Sequence, residues 1–226
     1  MKHDYAKSES EKEVLQQWLQ PAGKTIVDIG CGIGDLVRWL ATQGADVTGV
    51  DIPELIVQAM AFPKAGDEKY LEGMAQQMPF PDNYADAVLF MSSLHHVPEG
   101  HFNDAIKECA RVLKPEGIAI FIEPSLEKGC YYELSSLLHD ELLIQRRAYN
   151  VLKKAPDYGL VPVAENFFYM ERSLNHFVKT INIYVQDPVY RESLVRQAEA
   201  IVQKAEKEGW IHKLFKSTAR VNVFTK

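Results

Sequence analysis

The stretch Val27-Asp28-Ile29-Gly30-Cys31-Gly32-Ile33-Gly34-Asp35-Leu36 sets three glycines at alternate positions. Glycine leaves the main chain bare, so the loop can turn sharply and a ligand can approach the backbone closely. Asp51 follows 17 residues after Gly34, and a carboxylate there can accept hydrogen bonds from both hydroxyls of a ribose. A glycine loop with an acid behind it reads as a nucleoside site. Asp28 either shapes that loop or caps its turn. Further along, His95 and His96 offer imidazoles that titrate near neutrality and suit general-base work or a structural role; His95 is the candidate we favour. Glu123 either binds a substrate amine or anchors a loop. Cys31, inside the glycine loop, reads as a small filler rather than a nucleophile.

Such groups must be held by regular elements, and the hydrophobic pattern supplies them. Residues 8–20 have helical spacing at Val14, Leu15, Trp18 and Leu19, ended by Pro21 and Gly23. Short β-branched or apolar runs at 25–29, 46–51, 85–91 and 118–123 read as buried strands, and Ala219–Thr225 as a last one. Helical periodicity fills 35–44, 53–61 and 101–113. Strands alternating with helices predict an α/β fold with a parallel sheet. In such a sheet the loop after the first strand lies at the carboxyl edge, where ligands bind. From 124 to 215 the pattern becomes mostly helical and aromatic, with Tyr131, Tyr132, Tyr149 and the run Phe167-Phe168-Tyr169. Its stripes suit packing, and His139, Asp140, Glu141, Arg146 and Arg147 suit a solvated face.

The nucleoside is not a dinucleotide. A GxGxxG fingerprint starting at Gly30 needs glycine at 35, where Asp35 stands. An acid at the start of the helix repels a pyrophosphate lodged there. A cationic nucleoside with a carboxylate tail, such as S-adenosylmethionine, meets no such conflict.

At this point the sequence resembles the class I S-adenosylmethionine-dependent methyltransferases, in the branch called methyltransferase type 11. VDIGCGIGDL is similar to the first motif and GVDIP (49–53) to the acidic end of the second strand. EGMAQQMPFPDNYADAVLFMSSLHHV (72–97) resembles the third and fourth motifs, and RVLKPEGIAIFIEP (111–124) the motif around the fifth strand. The resemblance covers about 15–124. It implies a doubly wound, mostly parallel seven-stranded sheet of order 3-2-1-4-5-7-6 with the last strand antiparallel. It also implies one domain over 1–226: a cofactor core at 15–124 plus a last strand at 218–226, and a helical substrate cap at 125–215. The cofactor implied is S-adenosyl-L-methionine. By the same likeness Gly30, Gly32 and Gly34 cradle its methionine part, and Asp28 shapes the loop or meets the amino group through a water. Asp51 holds the ribose, Ile52 packs on the adenine face, Met74 and Ala75 border the adenine edge, and Met91 lies beneath the cofactor. Met74 departs from the family, which usually has an acid there to accept a bond from the adenine amine. His95 becomes the candidate catalytic base, and Glu123, Tyr131 and Tyr132 the candidate substrate contacts. Tyr5 belongs to an N-terminal lid or to an unstructured end.

Composition narrows the partner. With 31 acidic against 25 basic residues the net charge is −6, so no basic field favours nucleic acid or an anionic membrane. Three cysteines, Cys31, Cys109 and Cys130, without CxxC spacing argue against a disulfide framework or a metal cluster and suit a reducing cytoplasm. The polar N-terminus is unlike a signal peptide, and no apolar run nears the roughly 18 residues of a membrane span. The expected activity is therefore methyl transfer to an O, N or S nucleophile on a small polar molecule. A peptide or protein acceptor, or a non-catalytic cofactor-binding protein, are the alternatives.

Overall fold

The computed structural model describes residues 10–125, 131–138 and 141–226; Tyr5, Cys130, His139 and Asp140 lie outside the described residues. Helix α1 (Glu11–Gln16) precedes β1 (Thr25–Ile29), α2 (Asp35–Thr42), β2 (Asp46–Asp51), α3 (Pro53–Met60), β3 (Lys69–Glu72) and β4 (Ala85–Met91). Then come α4 (Phe102–Val112), β5 (Leu113–Pro124), α5 (Tyr132–Ser135), α6 (Leu142–Leu152), β6 (Val161–Glu171), α7 (Leu174–Tyr184), α8 (Pro188–Lys207), α9 (Ile211–Leu214) and β7 (Lys216–Thr225). The seven strands form one sheet in the order β3-β2-β1-β4-β5-β7-β6. Parallel pairing joins β3 to β2, β2 to β1, β1 to β4 and β4 to β5. Lys226 bonds to Gly117 and Thr218 to Ser125, so β7 falls in number as β5 rises and runs antiparallel to it. The expected class I methyltransferase topology is thus the observed one.

The chain divides into two compact units. The first comprises Glu11–Glu123, Ile144–Asn166 and Arg220–Lys226. Its inner strands β1, β2 and β4 are buried along nearly their whole length because both faces are covered. Val27, Ile29, Val50, Val88, Phe90 and Phe121 join Ala105, Ile106 and Leu152 in one buried cluster. Phe90 and Phe121 stack at 4.8 Å between centroids. The second unit is built mainly from Pro124–Leu143 and Phe167–Ala219. There Leu134, Phe177, Ile181, Leu194, Ala198 and Leu214 make a separate core. Ser173 caps α7 by accepting from the His176 N–H, and Asp187 caps α8 by accepting from Tyr190. No helix among the described residues is long and apolar enough to cross a membrane.

Two strands were not visible in the pattern. β3 has charged ends and three of its four residues exposed, as an edge strand allows. β6 lies inside the segment read as mostly helical, with Pro162 near its start and Glu165-Asn166 breaking the apolar alternation. It too is an edge strand, the position in a sheet that tolerates proline.

Candidate cofactor site

The glycine loop and Asp51 meet at the carboxyl ends of β1 and β2. The Gly32 N–H donates to Asp51 Oδ2 at 2.7 Å, and the Ile52 N–H donates to Oδ1 at 2.8 Å. Each carboxylate oxygen has two lone pairs, so both keep an acceptor site for a ribose hydroxyl. The loop is fixed from below, since the Gly30 and Cys31 N–H groups both donate to Val50 O and the Gly34 N–H donates to Cys31 O. Gly30, Gly32 and Gly34 have φ of 73°, 55° and 80°, in the left-handed region that side chains disfavour. At Gly30 a Cβ would also fall 2.4 Å from Ser93 Cβ. Nothing but glycine fits there.

Cys31 is buried against Gly49, whose own Cβ would lie 2.8 Å from its sulfur. Burial, then the charges of Asp28 and Asp51, push its thiol well above the usual range, so it is inert filling. Asp28 is 1% exposed, and its Oδ1 has no hydrogen-bond partner. Burial first, then the neighbouring charge of Asp51, raises its carboxyl to about 7.

Around this edge Ile52 is 44% exposed and Met74 52%, while Ala75 is buried. Met74 sits in a tight turn, its carbonyl accepting from the Gln77 N–H and its sulfur from Gln76 Nε2 at 3.2 Å. Met91 ends β4, half-buried. Beyond it Ser92 takes φ 53°, a strained value for a residue with a side chain. Ser93 ties this turn to β1, its Oγ donating to Ile29 O at 2.5 Å. Glu123 takes the Ser93 and Leu94 N–H groups on Oε1 (3.0 and 2.9 Å) and the His95 Nδ1–H on Oε2. His95 and Glu123 are both buried. Both Glu123 oxygens serve the chain itself, which suits an anchor better than a substrate contact.

Tyr131 and Tyr132 belong to the second unit and are half-buried there. Burial raises the Tyr131 phenol to about 12, so it is a neutral hydrogen-bond donor at physiological pH. Asp28, the three glycines, Asp51 and Ile52 are therefore gathered at one edge, with Met91, His95 and Glu123 tied to it through Ser93.

Sequence reasoning missed three contributors. Ser93 was unremarkable because its partner Ile29 is 64 residues away. Arg38 on α2 was not singled out, yet its Nη1 donates to Ile33 O at 2.8 Å and braces the loop. Tyr70 covers the loop so closely that its oxygen would lie 2.5 Å from a Cβ on Gly34. The one available signal for Arg38 was its place one turn after Gly34.

These residues fit S-adenosylmethionine: an unpartnered carboxylate for an ammonium, a part-engaged carboxylate for a diol, and exposed apolar groups for an adenine. The methyltransferase-domain family matches residues 27–121. The ubiquinone biosynthesis O-methyltransferase of Dechloromonas aromatica (strain RCB) is 36% identical over 110 residues, 46% of this chain and 45% of that protein. The demethylmenaquinone methyltransferase of Chlorobaculum tepidum is 34% identical over 146 residues, 61% of this chain and 56% of that protein. The chain thus spans about half the length of these curated relatives. A solved S-adenosylmethionine-dependent methyltransferase from Methanosarcina mazei shares the fold with TM-score 0.59 and 20% identity, covering 97% of this chain and 99% of that one. The glycine loop, the acid at the end of β2 and the strand order agree with these likenesses: residues 27–121 carry a methyltransferase domain, on the class I methyltransferase fold.

Proposed function

We propose that the chain is an S-adenosylmethionine-dependent methyltransferase acting on an O, N or S nucleophile of a small polar molecule. The observation that carries this reading is the Gly32–Asp51 hydrogen bond, which sets the bare loop and the ribose-type carboxylate at one edge. When bound, the cofactor supplies a methyl group already activated by its sulfonium. The enzyme's remaining work is placement, and orientation alone is worth on the order of 7–11 kcal/mol.

In this reading the backbone of Gly30, Gly32 and Gly34 bears the amino-acid part and Asp28 faces the ammonium. Asp51 accepts from the ribose, and Ile52, Met74 and Ala75 border the base. Met91 forms the floor. Glu123 is the clamp that orients His95, holding the proton on Nδ1 so that Nε2 is the basic atom. His95 is the candidate to take the acceptor's proton. Acceptor selection falls to residues 124–215, a segment outside the family match, with Tyr131 and Tyr132 as candidate contacts. The two curated relatives are named for quinone chemistry, which makes hydroxylated aromatic acceptors the first to try.

Calorimetry with S-adenosylhomocysteine tests the site. Asp51→Ala is expected to weaken binding at least tenfold, because each hydrogen bond to a charged group is worth roughly 1.5–3 kcal/mol. An unchanged dissociation constant in a folded variant refutes the ribose assignment. A methyl-transfer screen over small O, N and S nucleophiles then tests the acceptor class, and turnover confined to peptides refutes it.

A further inference from the structure

One oxygen of the Asp28 carboxylate is buried with nothing to bond. The side chain is buried, and Oδ1 has no hydrogen-bond partner among the described residues. The nearby main-chain donors are committed elsewhere: Gly30 and Cys31 to Val50 O, Gly32 to Asp51, Gly34 to Cys31 O. Asp51 adds a second negative charge that disfavours ionisation of Asp28. A buried, unpaired anion beside another anion is costly. Only a proton or an arriving cation relieves it.

We propose that Asp28 carries a proton in the free protein and gives it to solvent when the ammonium group of the nucleoside's amino-acid tail docks, so that cofactor binding releases a proton. This rests on the cofactor assignment made above. In the step the Asp28 O–H bond breaks, the proton passes to water or buffer, and the carboxylate pairs with the ammonium; nothing is oxidised or reduced. The raised carboxyl, at about 7, places the exchange in the neutral range.

The groups that surround Asp28 leave it to this fate. From β2 comes Asp51, an anion, and Gly49 opposite Asp28 in register. From β4 the partner is Leu89, which is apolar. From β3 comes Tyr70, opposite Gly49, its phenol raised chiefly by burial. From the loop comes the Cys31 thiol, held neutral. From α2 the Arg38 guanidinium is engaged with Ile33 O and Asp35. None supplies a cation to Asp28.

The consequence is selectivity by charge. S-adenosylhomocysteine, which has the ammonium, should release a proton, whereas 5′-methylthioadenosine, which lacks the amino-acid tail, should bind without release. Titration calorimetry in two buffers of different ionisation enthalpy counts the protons. For S-adenosylhomocysteine the expected release is about 0.9, 0.5 and 0.1 proton at pH 6, 7 and 8, with affinity rising about tenfold over that range. Asp28→Asn should abolish both the release and the pH dependence. Should that variant fail to fold, the contrast between the two ligands on the wild-type protein decides alone. Binding of S-adenosylhomocysteine with no release at pH 6, or equal release with both ligands, overturns the proposal and leaves the cofactor site intact. If neither nucleoside binds at any pH, the cofactor reading itself falls, and this inference with it.

Discussion

The first unit is constrained through its backbone, the second through the volume of its side chains. Near the glycine loop the chain takes left-handed φ at Gly30, Gly32 and Gly34, and at Ser92, three strands further along in sequence but tied back to β1 by Ser93. In the second unit Gly209 alone among the described residues has a positive φ. Its order comes instead from Phe177 and Ile181 on α7, and Leu194 and Ala198 on α8, at the four-residue spacing of one helix face. Strained backbone needs particular residue types at particular positions, whereas a helix face accepts many apolar residues of suitable size. The family match over 27–121 lies wholly within the backbone-constrained unit.

The contrast breaks most sharply under opposite substitutions. Adding atoms should be ruinous in the loop. Gly30→Val must hold φ near 73° and place a Cβ against Ser93, which cannot retreat because its Oγ is bonded to Ile29 O and its N–H to Glu123. Left-handed strain and overpacking together predict about 3–5 kcal/mol of lost stability, and loss of S-adenosylhomocysteine binding in whatever fraction folds. In the second unit it is removal of atoms that should hurt. Leu194→Ala empties part of a fully buried cluster and should cost about 2–5 kcal/mol in urea unfolding. A Gly30→Val protein of wild-type stability would show that the loop is looser than its hydrogen bonds imply.

The same contrast governs what could be read from residue order alone. β1, β2, β4 and β5 were visible because β-branched runs closed by glycine, acid or turn residues have few other meanings. The position of Asp51 beside the loop was legible because the end of a parallel strand is a fixed point relative to the loop next to it. β3 was not visible: Lys69-Tyr70-Leu71-Glu72 has no alternation, its fit depending on pairing with β2. β6 was hidden by Pro162 and by Phe167-Phe168-Tyr169, which read equally well as cap aromatics. The Ser93 clamp and the Arg38 brace are long-range or carbonyl-directed bonds, and nothing in local spacing announces either. The acceptor was unreadable for a chemical reason, since methyl transfer from a sulfonium demands placement more than any particular side chain.

Asp28 lets the comparison be sharpened with pH. Its carboxyl ionises near 3.8 when unfolded and at about 7 when folded. Between those values the folded chain binds a proton that the unfolded chain has lost, so stability falls as pH rises from about 4 to about 7. Above that range the buried charge imposes its full penalty, about 4 kcal/mol. Asp28→Asn should therefore resist urea better than the wild type at pH 8, with the advantage vanishing near pH 4. A constant difference across this range would show that Asp28 is ionised in the folded protein throughout.

The smallest expected effect is at Met74, where the site departs from its family. The residue is 52% exposed and its sulfur accepts from the Gln76 amide, so an acid placed there meets water rather than a closed core. Met74→Asp should shift stability by no more than about 0.5 kcal/mol, as exposed substitutions do. An added carboxylate acceptor for the adenine amine should tighten S-adenosylhomocysteine binding by about tenfold, the low end for one hydrogen bond to a charged group. Calorimetry on the variant reads the change directly. A tenfold loss instead would mean that the thioether packs on the base and that affinity here comes from apolar contact, bringing this corner of the first unit closer to the volume-governed second one.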